Sequence, residues 1–305
     1  MVVFAIIVNW NDPTDTLECV SSIRTQKSSY KLNIVVVDNG SSDNSLEILS
    51  KEKDITVIPN KINLGYTGGN NTGIDYAMER GADYVWIINP DLKLHKDCLA
   101  NLIYTSNKYP KHGIVSPKIY FYPGYEFHKD RYLKKDLGKV LWYAGGRINW
   151  SIILGEHFGV DEVDEGQYNS DKLIEFATGS CLFIRKEVIN KLKGFDDRYF
   201  LYLEDADLSI STRNLGYEIC FSYKSIAWHK NAKSSGVGGG LQDYYIARNR
   251  LLFGEKFGSI RQKSALMRES IRLVFSGRKW QKTGVKDYYL RRFGRGSYNP
   301  EKYHT

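Results

Sequence analysis

Residues 33–43 read NIVVVDNGSSD, a run of β-branched residues that passes straight into an aspartate and a polar turn. The run predicts one buried strand, and the Ser and Asp residues after it suit the N-cap of a helix. Similar apolar runs recur at residues 2–8, 55–59 and 84–88. Helix-compatible stretches lie between the runs, at residues 14–26, 42–51 and 70–80. This alternation predicts an α/β fold with a mostly parallel central sheet flanked by helices.

The alternation breaks down after residue 119. Aromatic and Gly-bearing loops fill residues 120–171 and predict an inserted region rather than part of the sheet. Regular patterns return with a strand at 182–184, helices at 186–192 and 208–214, and a strand at 218–223. We therefore expect a catalytic or binding unit over residues 1–240, with halves 1–119 and 120–240, and a helical segment over residues 241–305.

Composition excludes several classes of protein. The chain has 305 residues, a net charge of +8 and 42% hydrophobic residues, which is ordinary for a globular protein. Its four Cys are dispersed without a C-x-x-C pair, which predicts reduced thiols and a cytoplasmic protein rather than a zinc ribbon or disulfide framework. The apolar start at residues 2–8 predicts a buried strand rather than a signal peptide, and no run approaches the length of a membrane span.

The positive charge is concentrated at the C-terminus. Residues 241–305 carry 15 Lys and Arg against five Asp and Glu, whereas residues 1–240 carry 28 against 30. Apolar residues are interleaved with these cations at helical spacing, which indicates either a peripheral contact with an anionic membrane surface or a helix packed on the body with its charges in water. A nucleic-acid-binding protein would use the same charge, but the sequence holds no recognised nucleic-acid-binding motif.

Polar side chains follow the predicted strands. Asp38 ends the strand at 33–37, and Asn9 and Asn11 end the first strand, so all three meet at the carboxyl edge of a parallel sheet, where open α/β sheets bind ligands. A plain turn and helix cap would also explain Asp38. The sequence has neither G-x-x-x-x-G-K-[ST] nor a G-x-G-x-x-G after the first strand, which argues against a P-loop enzyme and a dinucleotide-binding site.

Two more segments belong to the same predicted edge. Residues 63–73 read NLGYTGGNNTG, a loop in which glycines allow the backbone to approach a ligand and Asn side chains donate and accept. Residues 89–91 read NPD and place the Asp91 carboxylate just after a buried strand, where it suits a divalent cation bridged to phosphate or, alternatively, a turn.

Taken in order, these segments resemble the family 2 glycosyltransferases, inverting enzymes of the GT-A (Rossmann-like) fold, and within them the bacterial rhamnosyltransferase-like group. The resemblance spans about residues 1–250 and rests on an ordered set of motifs. They are Val8–Asn11, Val37–Asp43, 63–73, Asn89–Asp91, Thr178–Ser180, Glu204-Asp205 and Asp207-Leu208.

The resemblance implies a role for each matching residue. Asp38 would hold the nucleotide base or ribose, with Asn9 and Asn11 lining its pocket, and Asn70 and Asn71 would fix the sugar nucleotide. Asp91 matches the last acid of the family's D-x-D metal motif, in which Asn89 stands where the first acid is expected. His229 resembles a second metal ligand, so Mg²⁺ or Mn²⁺ is the expected cofactor.

The acceptor side is implied in the same way. Asp205 would be the general base, because inversion needs one carboxylate to take the acceptor proton, with Glu204 beside it and Asp207 supporting the loop. The charge of Arg248 suits a diphosphate; the alternative is a solvated helix face. Residues Gly145, Gly146, Thr178, Gly179 and Ser180 would line the sugar and acceptor region.

These expectations describe a cytoplasmic enzyme, either free or peripheral at the inner face of the cell membrane. It would move L-rhamnose from dTDP-rhamnose to a growing surface polysaccharide or lipid-linked oligosaccharide. A UDP-sugar donor carrying glucose, galactose or an N-acetylhexosamine is the first alternative. A non-catalytic sugar-nucleotide or glycan-binding module is the second, and the Glu204-Asp205 pair speaks against it.

Overall fold

The structure is a computed structural model that describes residues 1–27, 29–230 and 239–299. Its first half contains four parallel strands in the order β3-β2-β1-β4. They are β1 (Val2–Asn9), β2 (Lys31–Asp38), β3 (Ile55–Pro59) and β4 (Tyr84–Ile88). Helices α1 (Pro13–Arg24), α2 (Ser45–Leu49) and α3 (Gly65–Glu79) connect them. The parallel α/β arrangement predicted from the sequence is confirmed, although α2 is shorter than the predicted 42–51.

The Gly- and Asn-rich stretch is helix rather than the predicted loop, because α3 begins at Gly65 instead of residue 70. A Cβ on Gly69 would lie 2.7 Å from Val8, and one on Gly73 would lie 2.4 Å from Ile6. These glycines therefore let α3 approach β1 closely, and helix–strand packing accounts for them without a ligand.

The second half extends the same sheet with strands of mixed direction. Its strands are β5 (Leu92–Leu94), β6 (His112–Phe121), β7 (Leu141–Tyr143), β10 (Lys172–Ile174), β11 (Cys181–Arg185) and β12 (Glu218–His229), and its helices are α4 (Cys98–Lys108), α5 (Lys186–Leu192) and α6 (Glu204–Asn214). The described sheet has the order β10-β12-β6-β11-β4-β1-β2-β3, with β5 on β12 and β7 on β6.

Residues 120–171 are thus not wholly an insertion, which corrects the prediction. The end of β6 and all of β7 belong to the sheet, while β8 (Gly146–Asn149) and β9 (Leu154–His157) form a separate hairpin. Strand β12 also runs six residues past its predicted end at 223 and finishes at His229.

The C-terminal segment forms α7 (Gly240–Phe257), α8 (Ile260–Ser276) and α9 (Lys279–Tyr289). A second hydrophobic cluster joins these helices to the rest of the chain. Its members include Ile153 from the β8–β9 hairpin, Tyr199 and Ala206 around the start of α6, and Leu251, Leu266 and Val285. The helices therefore share a core with the region around Glu204 and Asp205.

Candidate active site

Three strand ends meet at one edge of the sheet. Asn9 at the end of β1 lies opposite Asp38 at the end of β2, and Ile88 at the end of β4 lies opposite Ile7 of β1. Asn89 follows β4 directly, so the polar segments after all three strands are neighbours. This is the carboxyl edge at which the sequence predicted a ligand site.

Asp38 is buried and held by its neighbours. Its Oδ1 accepts hydrogen bonds from Asn9 Nδ2 (2.9 Å) and Ser41 Oγ (2.6 Å), while its Oδ2 receives, from the part of the chain that the structure describes, only a 3.4 Å contact from the Ser41 amide. Asn9 Oδ1 in turn accepts from Thr16. The carboxylate is therefore fixed in orientation, in part by Asn9. Contact of Asp38 or Asn9 with a nucleotide stays a prediction.

Two residues follow β1 directly and lie beside Asp38 in the turn at this edge. Asn11 has a left-handed backbone (φ 54°), and its Oδ1 accepts from the Ser42 amide over 2.8 Å, which ties the β1 turn to the β2 turn. Trp10 beside it, which belongs to the Val8–Asn11 motif but had no predicted role, is 52% exposed, and this is unusual for a Trp.

The structure gives Asn70 and Asn71 protein partners. Asn70 donates to the Tyr66 carbonyl within α3. Asn71 donates to the Phe195 carbonyl and accepts from the Phe195 amide, so it fastens α3 to the segment before α6. Both side chains serve the fold in this structure, and contact with a sugar nucleotide stays a prediction for them.

Asp91 and His229 lie side by side, as the sequence predicted for a shared metal site. His229 Nε2 is 3.1 Å from both carboxylate oxygens of Asp91, because His229 ends β12 opposite Leu92 of β5. The His229 ring is buried and makes a T-shaped contact with Trp142, and its Nδ1 has no hydrogen-bond partner among the described residues. Within the described residues, no group of three or more His, Cys, Asp or Glu side chains could hold a metal ion.

A carboxylate and an imidazole are donors that suit Mn²⁺, and a nucleotide-dependent metal completes its coordination with diphosphate oxygens and water. The donor set therefore fits a cation brought in with the substrate. The backbone of Asn89 is fixed by a 2.9 Å hydrogen bond from its amide to the Ser180 carbonyl.

The segment 178–180 connects the Asn89–Asp91 segment to the acidic pair. Its Ser180 carbonyl holds Asn89, and its Gly179 amide donates to Asp205 Oδ2 over 2.8 Å. Tyr66 donates its phenol to the Gly179 carbonyl, an interaction that no sequence signal indicated. The predicted set Asn89, Thr178–Ser180 and Asp205 is thus contiguous in space.

The two acids at the start of α6 have different environments. Glu204 is 5% exposed, and no described residue forms a hydrogen bond with its Oε2. Burial, and then the charge of Asp205, raise the Glu204 pKa well above its usual value. Asp205 accepts from the amides of Gly179 and Ala206, and burial raises its pKa to about 6. Carboxyl groups tuned towards neutrality are expected where a proton is taken up.

The backbone before this pair is strained. Phe200, Tyr202 and Leu203 all have φ between 65° and 71°, a region that residues with a Cβ rarely adopt. Asn249 Nδ2 donates to the carbonyls of Tyr199, Leu201 and Tyr202, and Arg248 donates to those of Arg198 and Tyr199. Helix α7 therefore clamps the loop 198–203 into its unusual shape.

Arg248 thus differs from both alternatives drawn from the sequence. Its guanidinium has 0% exposure and donates further to the Gly294 carbonyl, so the side chain is neither on a solvated face nor open to a diphosphate. Burial lowers its pKa. Its backbone partners lie almost fifty residues away in sequence, and nothing in the local pattern reveals them.

Asp207 supports this loop, as the sequence predicted. It accepts from Tyr199 Oη (2.9 Å) and from Lys256 Nζ (2.7 and 2.8 Å), so it joins α6 to α7.

Gly145 and Gly146 lie in the β8 region, where the Gly146 carbonyl accepts from the amides of Glu175 and Phe176. A Cβ on Gly146 would lie 2.7 Å from the Phe176 ring, so close packing requires this glycine. Its contact with an acceptor stays a prediction.

The mostly parallel central sheet and its flanking helices form the GT-A fold of glycosyltransferases. Residues 4–193 match the sequence model of glycosyl transferase family 2. The chain belongs to this family, whose members are inverting glycosyltransferases, and the resemblance found from the motifs is confirmed.

Several characterised proteins are similar in sequence. The low-salt glycan biosynthesis hexosyltransferase Agl10 of Haloferax volcanii is 29% identical over 209 residues, covering 68% of this chain and 60% of that protein. The N-acetylglucosaminyl-diphospho-decaprenol L-rhamnosyltransferase of Mycobacterium tuberculosis is 25% identical, over 67% and 68%. The rhamnosyltransferase WbbL of Escherichia coli is 24% identical over 85% of this chain and 97% of that protein.

A solved structure shares the fold. The mannosyltransferase PcManGT of Pyrobaculum calidifontis, in complex with GDP-Man and Mn²⁺, superimposes with a TM-score of 0.55 over 95% of this chain and 74% of that one. The two sequences are 16% identical, so the likeness concerns the GT-A fold alone.

Proposed function

We propose that this enzyme transfers L-rhamnose from dTDP-rhamnose, with inversion, to a surface glycan or a lipid-linked oligosaccharide. The observation that carries the proposal is the 178–180 segment, which holds Asp205 on one side and Asn89, next to Asp91, on the other. Two relatives named as rhamnosyltransferases support the choice of sugar.

The chemistry is a single displacement. The acceptor hydroxyl oxygen attacks the anomeric carbon on the face opposite the diphosphate, and Asp205 takes the hydroxyl proton. The bond between the anomeric carbon and the diphosphate oxygen breaks, and the leaving nucleotide keeps the electron pair. Asp38 would bind the ribose or base through Oδ2.

Asp91 and His229 are the residues that would hold a divalent cation, Mg²⁺ or Mn²⁺. When bound, such an ion neutralises the charge that develops on the leaving diphosphate. Among the described residues, His229 Nε2 contacts Asp91 and the ring packs on Trp142, while Nδ1 has no hydrogen-bond partner.

A donor panel tests the proposal. Thermal shift and nucleotide release are measured with dTDP-rhamnose, UDP-glucose, UDP-galactose, UDP-N-acetylglucosamine and GDP-mannose, each with Mn²⁺, Mg²⁺ or EDTA. We expect a selective, metal-dependent response to dTDP-rhamnose. A selective response to another nucleotide sugar would keep the enzyme class and overturn the choice of rhamnose. A thermal shift without nucleotide release, in the presence of glycan acceptor, would favour a binding module.

A further inference from the structure

The structure separates the apolar residues of the basic C-terminal segment into two groups. Leu251, Leu252, Phe253 and Leu266 are buried in the second hydrophobic cluster. In contrast, five apolar residues of α8 are exposed to solvent, with Ile260 at 85% and Phe275 at 78%; the others are Met267, Ile271 and Val274. No described helix combines the length and the hydrophobicity that crossing a membrane requires.

The five exposed residues lie on one face of α8. Their positions, 260, 267, 271, 274 and 275, follow spacings of three, four and seven, which place side chains along one stripe of a helix. The body contacts a different stripe, in which Leu266 and Ser270 are buried. An apolar stripe that a helix turns away from its own core is a candidate contact surface for a partner.

Cations border this stripe. At 100° per residue, Arg261, Arg268 and Arg272 fall along one side of it and Lys263 falls on the other. These four side chains form no ion pair within residues 1–27, 29–230 and 239–299. Lys282 of α9 adds a cation at the end of the stripe, where its Nζ donates to the Phe275 carbonyl over 3.0 Å.

We propose that this face of α8 docks on an anionic lipid surface. Exposed Ile, Met, Val and Phe side chains enter the boundary between headgroups and acyl chains, while the flanking Arg and Lys contact anionic headgroups. The charge complementarity favours lipid over a second copy of this chain, because two such faces would bring their arginines together.

The position of α8 relates this surface to the site. Gln262 of α8 contacts the Trp150 carbonyl, and Leu266 packs near Ile153, so α8 lies against the β8–β9 hairpin. Gly146 and Gly155 of that hairpin pack on Phe176, three residues before Gly179. Lipid docking on α8 would thus bring a membrane close to the acceptor side, although the docking itself does not rest on the proposed reaction.

Vesicle flotation tests the docking with the full chain and no nucleotide sugar. The vesicles are phosphatidylcholine alone or phosphatidylcholine mixed with phosphatidylglycerol. We expect the protein to float with the anionic vesicles only, and added salt to weaken the binding. Ile271→Ser/Phe275→Ser should reduce the partition coefficient about tenfold or more. Arg268→Gln/Arg272→Gln should reduce it roughly 25-fold at low salt.

Leu133→Ser is the matched control, because Leu133 is 64% exposed in a loop far along the chain from α8, and it should bind as the parent does. Thermal unfolding checks that every variant is folded. The proposal is overturned if the parent does not bind anionic vesicles, or if the α8 variants bind as well as Leu133→Ser. It is also overturned if light scattering shows a dimer that Phe275→Ser converts to a monomer. None of these results bears on donor turnover.

Discussion

The Gly179 amide donates a hydrogen bond to Asp205 Oδ2 over 2.8 Å, and the Ala206 amide donates to the other oxygen over the same distance. One backbone donor on each oxygen fixes the carboxylate without neutralising it. Each oxygen can still accept a further hydrogen bond. The Asp205 carboxylate is therefore oriented and remains able to take a proton from an acceptor hydroxyl.

Replacing this carboxylate should stop transfer while the protein stays folded. Asp205→Asn keeps the size of the side chain but removes the proton acceptor, so we expect kcat to fall about 10³-fold, within the range for loss of a general base. Nucleotide release with donor and acceptor measures the effect. Asp130→Asn, an exposed residue of the loop before β7, is the control and should be unchanged. Near-normal turnover by folded Asp205→Asn would refute the assignment.

The activity should depend on pH through Asp205. Burial raises the Asp205 pKa to about 6, so the base is protonated below that pH. We expect kcat/KM to fall as the pH drops through about 6 and to level off above it. A pH profile of initial rates measures the pH at which kcat/KM falls. A fall near pH 4 instead of pH 6 would show that the general base has an ordinary carboxyl pKa.

Burial, and then the charge of Asp205, raise the Glu204 pKa and so favour its protonated form. Glu204→Gln is then nearly isosteric, and the acidic limb of kcat/KM should stay near pH 6. Carboxyl groups with raised pKa values bind more protons in the native state than when unfolded, so stability falls as the pH rises through their folded pKa values. The Gln side chain of Glu204→Gln does not titrate, so this variant lacks the part of the stability loss that comes from Glu204.

Thermal unfolding between pH 4 and 8 tests the expected effect of Glu204→Gln on stability. The melting temperature of Glu204→Gln should decline less with rising pH than that of the parent. A limb that moves to lower pH in this variant would instead mean that Glu204 carries a charge during turnover.

The sequence predicted the candidate site residues that follow strand ends. Asp38 and Asp91 could be found because each follows a short β-branched run, and the ends of such runs meet at one sheet edge. The loop 198–203 could not be found in this way, since Phe200, Tyr202 and Leu203 adopt φ values that local sequence gives no reason to expect. The prediction of a loop over the Gly-rich stretch was wrong, because glycines also allow a helix to pack closely on a strand, as α3 does on β1.

Removing either proposed metal ligand should weaken the response to the cation. Asp91→Asn and His229→Ala each delete one donor of the 3.1 Å pair, so we expect the Mn²⁺ concentration for half-maximal activity to rise about tenfold or more. EDTA should abolish the activity of the parent. His128→Ala alters a half-exposed His of an outer loop and is the control. Unchanged Mn²⁺ dependence in both variants would place the metal elsewhere.

The clamp from α7 should act on kcat rather than on donor affinity. Arg248→Lys loses the planar guanidinium that donates to three backbone carbonyls, those of Arg198, Tyr199 and Gly294. Asn249→Ala removes the side-chain amide that donates to three carbonyls of the loop, those of Tyr199, Leu201 and Tyr202. Without these bonds the strained loop relaxes and displaces Asp205. We expect kcat to fall about 10²-fold, because small misplacements of a reacting group are that costly.

The donor KM of both variants should stay within about twofold of the parent value, since neither side chain reaches an open part of the site. The free energy of unfolding should fall by about 2–4 kcal/mol, because buried carbonyls lose their hydrogen-bond donors. Arg250→Lys is the matched control on the same helix, because Arg250 pairs with Glu269 of α8 and lies outside the clamp. Steady-state kinetics with varied donor separates the two roles of Arg248. A large rise in donor KM at unchanged kcat would show that Arg248 binds the diphosphate, whereas a loss of kcat identifies it as the residue that positions the catalytic loop.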